Sequence, residues 1–193
     1  RSPHAHARLR GVDAGQARAM PGVVAIYTRQ DLFRHVTSWR MPLGFPLAAL
    51  PENTTPFALA GDEVAFVGEA YAVVVARTRH EAEDAAAAVQ AEFEVLPAIA
   101  DCRQAVHDDA PRVRTELASN VLQDYTLAYG DCDAAFARAD IVLDDEFRVH
   151  RGCGHPMEGR GVVAMLDPAT GMLTVWSSTQ MAHELHYTIA HML

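Results

Sequence analysis

The sequence predicts a fold in which helices pack on a β-sheet, of the α/β or α+β class. A short helix followed by a strand recurs three times along the 193 residues. The three segments share no residue pattern, so they are not the repeats of a solenoid. Half of the residues are hydrophobic and 21% are charged, as in an ordinary globular protein with a substantial core.

The first helix and strand lie close to the start of the chain. Asp13 is predicted to cap a helix that continues to Met20, because an aspartate side chain suits a helix N-terminus. Pro21 and Gly22 end this helix, and the apolar run 23–27 predicts a strand.

The second segment contains two predicted strand regions and a helix. Residues 64–76 predict a pair of strands broken at Gly68 and Glu69, and Thr78 with Glu81 forms a capping box for a helix that ends at residue 90. A strand over 91–96 follows. We expect 64–76 and 91–96 to lie in one sheet, with the alanine-rich helix 79–90 packed across it.

The third segment leads into a hairpin. Asp131 opens a helix over 132–138, and a strand is predicted over 141–149, with acidic residues 144–146 as a solvated face. Strands over 162–166 and 173–177 are joined by turn-forming residues at 167–171. This hairpin places Thr179 and Gln180 at the end of a strand, before a helix over 182–191.

Two long segments show no periodic pattern. Residues 38–57 contain Pro42, Pro46, Pro51 and Pro56, which stop any helix, and a loop of that length is either functional or disordered. Residues 98–120 are polar and partly acidic, and we interpret them as a linker between domains.

Composition excludes several kinds of partner and location. The formal charge of −9 disfavours nucleic acid and anionic membranes, and no apolar run reaches the ~18–20 residues of a membrane span. No secretory signal follows Arg1, and the missing Met suggests a chain that begins in mid-sequence. Cys102, Cys132 and Cys153 suit neither a disulfide framework nor a CxxC site, which favours reduced thiols in a cytoplasmic protein.

His150, Cys153 and His155 form the one sequence cluster that could suggest a metal. A zinc site needs four ligands, and no fourth is evident nearby. We therefore expect no metal ligand in this chain.

The most specific motifs lie between His150 and Gln180. They are HPMEGRG and the hairpin sequence DPATGMLTVWSSTQ. Earlier stand DAGQARAMPGVVAIYTRQDL and the central stretch DEVAFVGEAYAVVVARTRHEAEDAAAAVQAEFEVLPAIAD. In this order and spacing the chain resembles the molybdenum-binding subunit of the xanthine dehydrogenase, aldehyde oxidase and carbon monoxide dehydrogenase family, although Ala70 stands where the family commonly has proline.

The resemblance implies an α+β fold, with an a/b hammerhead domain followed by the beginning of a molybdopterin-binding domain. We expect the hammerhead domain at 1–105, a linker at 106–120 and the incomplete start of the molybdopterin-binding domain at 121–193.

The resemblance also implies an oxidoreductase. The family's large subunit oxidises an aldehyde, a purine, an N-heterocycle or carbon monoxide, with water as the oxygen source. Molybdenum is held by molybdopterin, in the cytosine dinucleotide form or a similar one, and electrons pass through iron–sulfur clusters to FAD on partner subunits or domains.

One residue is assigned to the cofactor by the resemblance. Gln180 matches the glutamine whose amide donates to an oxygen ligand of molybdenum, which an uncharged donor can steady without altering the charge of the site. From the residues alone, Gln180 could instead cap the following helix. Glu158 and Arg160 match the family's turn, and we interpret them as a buried pair that supports it. His183 matches a family position, but Ala182 replaces its usual proline.

No catalytic residue is assigned within this chain. The family's GGGFG-like loop and catalytic glutamate are expected beyond Leu193, so we interpret the chain as an N-terminal piece of the subunit, inactive and without molybdenum when alone. The alternative is a stand-alone hammerhead module that binds a partner subunit or serves in assembly, which the compact stretch 13–101 favours.

Overall fold

The computed structural model describes residues 1–42, 54–150, 152 and 154–193. Most of the predicted loop 38–57, from residue 43 to residue 53, lies outside the described residues. The chain divides into two compact units. The first comprises Arg1–Asp124 with Ala182–Leu193, and the second comprises Tyr125–Met181.

Helices and strands alternate along the chain, which confirms a mixed α+β fold. The elements in order are β1 (Ala7–Asp13), α1 (Gly15–Arg18), β2 (Val23–Thr28), α2 (Arg29–Leu32), β3 (Glu63–Val64), β4 (Ala72–Ala76), α3 (Arg79–Ala88), β5 (Gln90–Val95), α4 (Cys102–Ala105), α5 (Cys132–Arg138), β6 (Val162–Leu166), β7 (Leu173–Ser177) and α6 (Ala182–Met192). None of the helices in the described part of the chain is long and apolar enough to cross a membrane.

The strands that the structure describes in the first unit form two antiparallel sheets, of order β3-β1-β5 and β2-β4. The prediction that 64–76 and 91–96 share one sheet is therefore wrong for β4. Between β3 and β4 the chain passes through Gly68, whose φ of +92° redirects the backbone. β1, which periodicity did not reveal, occupies the position between β3 and β5.

Helix α3 packs on the smaller sheet, in contact with β4 and β2. Ala17, Ile26 and Ala85 are buried there, with Val74 and Val89 packed against them. Alanine at the contact lets helix and sheet approach closely. The predicted packing of this helix across a strand pair is thus confirmed for β4, but it does not extend to a sheet that contains β5.

Of the residues predicted to cap helices α1 and α3, Thr78 caps α3 as expected and Asp13 does not cap α1. In the predicted capping box of α3, the Glu81 amide donates to Thr78 Oγ1 at 3.3 Å and the Thr78 amide donates to Glu81 Oε2 at 3.0 Å. Asp13, by contrast, is the last residue of β1 and does not cap α1, whose N-cap residue is Ala14. Its carboxylate accepts from the Gly15 amide instead, at 2.8 Å.

In the second unit, α5 begins as predicted, with Asp131 Oδ1 accepting from the Ala134 amide at 2.9 Å. The predicted strand 141–149 is wrong, since these residues are exposed and form no strand. Alternating apolar residues become a strand only when a neighbouring strand satisfies their backbone groups. Residues 144–146 are exposed, as expected of a solvated face.

Candidate functional site

The hairpin of β6 and β7 positions the residue that the sequence assigns to the cofactor. Its strands pair in register from Val162 with Ser177 to Leu166 with Leu173. At the closed end, Asp167 accepts from the Ala169 amide at 2.8 Å and from the Thr170 hydroxyl at 2.8 Å. These two hydrogen bonds, that from Thr170 foremost, lower the pKa of Asp167 and hold the turn.

The open end of the hairpin is closed by a serine. The Gly161 amide donates to Ser178 Oγ at 2.9 Å, and the Ser178 amide donates back to the Gly161 carbonyl at 3.0 Å. Just beyond, the Met181 amide donates to Thr179 Oγ1 at 3.0 Å. The backbone on both sides of Gln180 is therefore held by local hydrogen bonds.

Gln180 itself is exposed, and its side chain forms no hydrogen bond with any described residue. The bond that a helix-capping role would require, from Gln180 to the first amides of α6, is not among the contacts of the described chain. A primary amide with its donors and its acceptor both free can bind an outside group that has oxygen atoms. The assignment of Gln180 to the cofactor stays a prediction.

Glu158 and Arg160 do not behave as predicted. Both are exposed, and no ion pair joins them in the part of the chain that the structure describes. The prediction that Glu158 and Arg160 form a buried pair supporting the turn is therefore wrong. Exposed charges on a glycine-rich turn gain little from pairing, because water screens their attraction.

The histidines of the motif region assemble no metal centre among the described residues. No group of three or more His, Cys, Asp or Glu side chains there could hold a metal ion. Cys153, the middle member of the cluster considered from the sequence, lies outside the described residues. His183 lies on α6 and is exposed.

The first unit contains a polar cluster that the sequence did not reveal, built around the half-buried carboxylate of Glu63 and the buried carboxylate of Glu69. The side chain of Glu69 is 2% exposed and pairs with Arg114, which is 9% exposed, at 3.2 Å. Its other oxygen accepts from the Ala65 amide at 2.6 Å. Glu69 thus holds both its own loop and a residue 45 positions away.

Glu63 contacts Thr115, which follows Arg114 in the chain. It accepts from the Thr115 amide at 2.9 Å and from the Thr115 hydroxyl, and it contacts His6 Nε2 at 3.0 Å. Burial raises the pKa of Glu63, but the hydrogen bonds from Thr115 and His6 outweigh burial, so its pKa lies below the ordinary value.

An aromatic ring lies beside these ion pairs. The guanidinium groups of Arg40, Arg29 and Arg114 lie 4.1, 4.7 and 5.4 Å from the centre of the Phe57 ring. Cations within about 6 Å of a ring face are attracted by its quadrupole. Sequence reasoning missed this cluster because the partners are far apart in the chain. The one local signal in the sequence is the glycine at position 68 next to Glu69, which the structure shows with a positive φ.

Two family models match the chain. The a/b hammerhead domain of aldehyde oxidase and xanthine dehydrogenase matches residues 1–97. The molybdopterin cofactor-binding domain matches residues 113–193, which include the hairpin and Gln180. The chain thus combines a hammerhead domain with the start of a molybdopterin cofactor-binding domain. It belongs to the aldehyde oxidase and xanthine dehydrogenase family, which confirms the resemblance drawn from the motifs.

Relatives align with nearly the whole chain. The carbon monoxide dehydrogenase large chain of Afipia carboxidovorans is 32% identical over 98% of this chain, and the nicotine 6-hydroxylase large subunit of Paenarthrobacter nicotinovorans is 34% identical over 95%. The crystal structure of quinoline 2-oxidoreductase from Pseudomonas putida 86 superimposes on 93% of the chain with a TM-score of 0.79 and 35% identity. The chain spans 24%, 22% and 22% of these three proteins.

Proposed function

We propose that this chain serves in a molybdenum-dependent hydroxylase or dehydrogenase that oxidises a small organic substrate or carbon monoxide, with water as the oxygen source. The observation that carries the proposal is the match of residues 113–193 to a molybdopterin cofactor-binding domain. The names of the relatives support the reaction class, since they include a carbon monoxide dehydrogenase and a nicotine hydroxylase.

Within this chain, Gln180 is the residue proposed to contact the cofactor. Its amide would donate a hydrogen bond to an oxygen ligand of molybdenum, and the hydrogen bonds of Ser178 and Thr179 hold the backbone on either side. A neutral donor on a fixed backbone stabilises charge that changes during turnover and needs little reorganisation. The bound cofactor supplies the redox chemistry, while the protein orients and binds it.

The finer parts of the proposal concern the cofactor form, the partners and the location. We propose the cytosine dinucleotide form of molybdopterin, and iron–sulfur and FAD groups on partner subunits or domains. The description of relatives as large chains or as subunits of a complex supports partner subunits. A cytoplasmic location is proposed because Cys102 and Cys132 are free, exposed thiols, which are typical of reducing compartments.

The test is substitution of Gln180 in the complete enzyme, with molybdenum content measured beside steady-state kinetics. Gln180→Ala should lower turnover by roughly 10²-fold, the usual loss for one preorganised donor, while metal content stays normal. Gln180→Glu should be slower still, because its charge would face the oxygen ligand. Glu83→Ala is the control, because it breaks only an exposed ion pair of the first unit and should retain normal turnover. Ser178→Ala removes one of the bonds that hold the backbone before Gln180, so it should lower turnover, but less than Gln180→Ala does. Full activity of a molybdenum-replete Gln180→Ala enzyme would show that the assignment is wrong.

A further inference from the structure

Arg29 differs from the other two arginines whose guanidinium groups lie beside the same aromatic ring. Arg40 contacts Glu116. Arg114 Nη2 lies 3.2 Å from Glu69 Oε1. Arg29 is half-buried, and its side chain has neither an ion pair nor a hydrogen bond among the described residues. A guanidinium group is always charged and carries five N–H donors, so within the described chain Arg29 has a charge without a counter-ion and donors without acceptors.

The surroundings of Arg29 hold its guanidinium group in one position. Its Cζ lies 4.7 Å from the centre of the Phe57 ring and 5.5 Å from the centre of the Trp39 ring. A Cβ atom at Gly61 would lie 2.3 Å from Arg29 Nη1, so a glycine at this position leaves room for the arginine. Aromatic rings engage the face of a guanidinium group, whereas its N–H donors lie in the plane and remain available to an acceptor. Arg29 is therefore a preorganised cationic donor.

Arg29 lines a cleft of about 1010 Å³ between β1 and α2. Pockets that bind small molecules commonly have volumes of ~300–1,000 Å³, so this cleft is large enough for an organic ligand. Leu9, Phe33 and Tyr71 contribute apolar surface to the cleft, and Arg34 contributes a second guanidinium group. Such a lining suits a small molecule that has an apolar body and an anionic end.

The part of the chain that supplies most of this lining is basic, although the whole chain is acidic. Residues 1–40 contain seven arginines and two acidic residues, whereas the chain has 16 lysines and arginines and 25 acidic residues in all. Two aspartates line the cleft. Asp31 accepts from the Thr28 amide at 2.7 Å and lies 3.9 Å from Arg18, and Asp62 is exposed, so that water screens its charge. The local charge therefore favours an anion in the cleft, despite the net charge of the chain.

We propose that Arg29 anchors a binding site for a small organic anion, whose carboxylate or phosphate group contacts the guanidinium group and whose apolar part contacts the cleft lining. Carboxylate and phosphate groups both present pairs of oxygen atoms that match the planar fork of a guanidinium group. The bound anion neutralises the charge of Arg29 and accepts hydrogen bonds from its N–H groups. The residues of the site all belong to the first unit. The site goes beyond the proposed oxidoreductase function and does not depend on it.

The test is equilibrium dialysis of the full-length protein against labelled inorganic phosphate or labelled benzoate, at constant ionic strength. Arg29→Gln should weaken the binding of at least one of these anions by roughly tenfold or more, the loss expected when charge-assisted hydrogen bonds are removed. A larger effect on phosphate would identify a phosphate group as the anionic end of the ligand, and a larger effect on benzoate would identify a carboxylate. Any other anion site is common to the wild type and the variant, so the difference between them isolates this cleft.

A substitution of Gly61 separates the position of the guanidinium group from its charge. Gly61→Ala retains every charge, but its Cβ displaces Arg29, so it should weaken binding as Arg29→Gln does. Gly11→Ala is the matched control, since Gly11 also lines the cleft and a Cβ there meets no atom within 4 Å. Arg79→Gln removes an equal charge from an exposed position on α3 and should retain binding.

Four results would overturn the proposal. They are the absence of saturable binding of either anion to the wild type, unchanged binding in folded Arg29→Gln, unchanged binding in folded Gly61→Ala, and an equal loss in either control. If Arg29→Gln fails to fold, the comparison of Gly61→Ala with Gly11→Ala still decides the question.

Discussion

Replacing Glu69 with alanine should be the most destabilising single truncation of a polar side chain in the first unit. Glu69 and Arg114 are 2% and 9% exposed, so the substitution leaves a buried guanidinium without its counter-ion. Loss of one partner of a buried ion pair costs about 3–5 kcal/mol. The Ala65 amide also loses its acceptor, and an orphaned buried donor costs about 1–3 kcal/mol, which the first figure partly includes.

Urea unfolding followed by tryptophan fluorescence measures this loss. The sequence contains two tryptophans, and a Trp176→Phe background leaves Trp39 as the reporter of the first unit. Glu83→Ala is the matched control, because it breaks the exposed pair of Arg79 and Glu83 and should change stability far less. A loss for Glu69→Ala no larger than that of Glu83→Ala would refute the reasoning.

A compensated variant separates the charge from the shape of the site. Glu69→Gln keeps an acceptor for the Ala65 amide but leaves Arg114 facing a neutral group. Adding Arg114→Met then removes the buried charge and keeps a long apolar side chain over Phe57. Because apolar replacement of a buried ion pair is often neutral, the double variant should regain most of the stability lost by Glu69→Ala.

Three further substitutions, the first with a control at Gly11, test local structure by urea unfolding or NMR. Gly68→Ala should cost about 1–2 kcal/mol, since φ is +92° and the strain lies in the backbone, whereas Gly11→Ala should cost little. Thr78→Ala should destabilise the first unit by ~1 kcal/mol through loss of the α3 cap. The pKa of Asp167 is lowered, so its stabilisation is present above the ordinary aspartate pKa and is lost as pH falls through the folded value. Thr170→Val should raise that pKa toward the ordinary value, and an unchanged carboxyl titration would contradict this account.

The sequence by itself determined those helix starts and turns whose hydrogen bonds join residues only a few positions apart. The capping box at Thr78, the cap at Asp131 and the hairpin turn at Asp167 each use contacts within a few positions. The family could also be recognised from the sequence alone, because a motif such as HPMEGRG is a run of consecutive residues. The position of Gln180 after β7 also followed from the hairpin pattern, since strand length and turn chemistry are local properties.

Only the tertiary structure decided which strands are neighbours and which charges are buried. Periodicity places apolar residues on a face but does not choose the partner of a strand, so 64–76 divided between two sheets and 141–149 formed no strand. Glu69 and Arg114 meet across 45 positions, and His6 meets Pro97 across 91. Such pairs form when the chain closes on itself, because burial then forces each polar group to find whichever partner the fold brings to it.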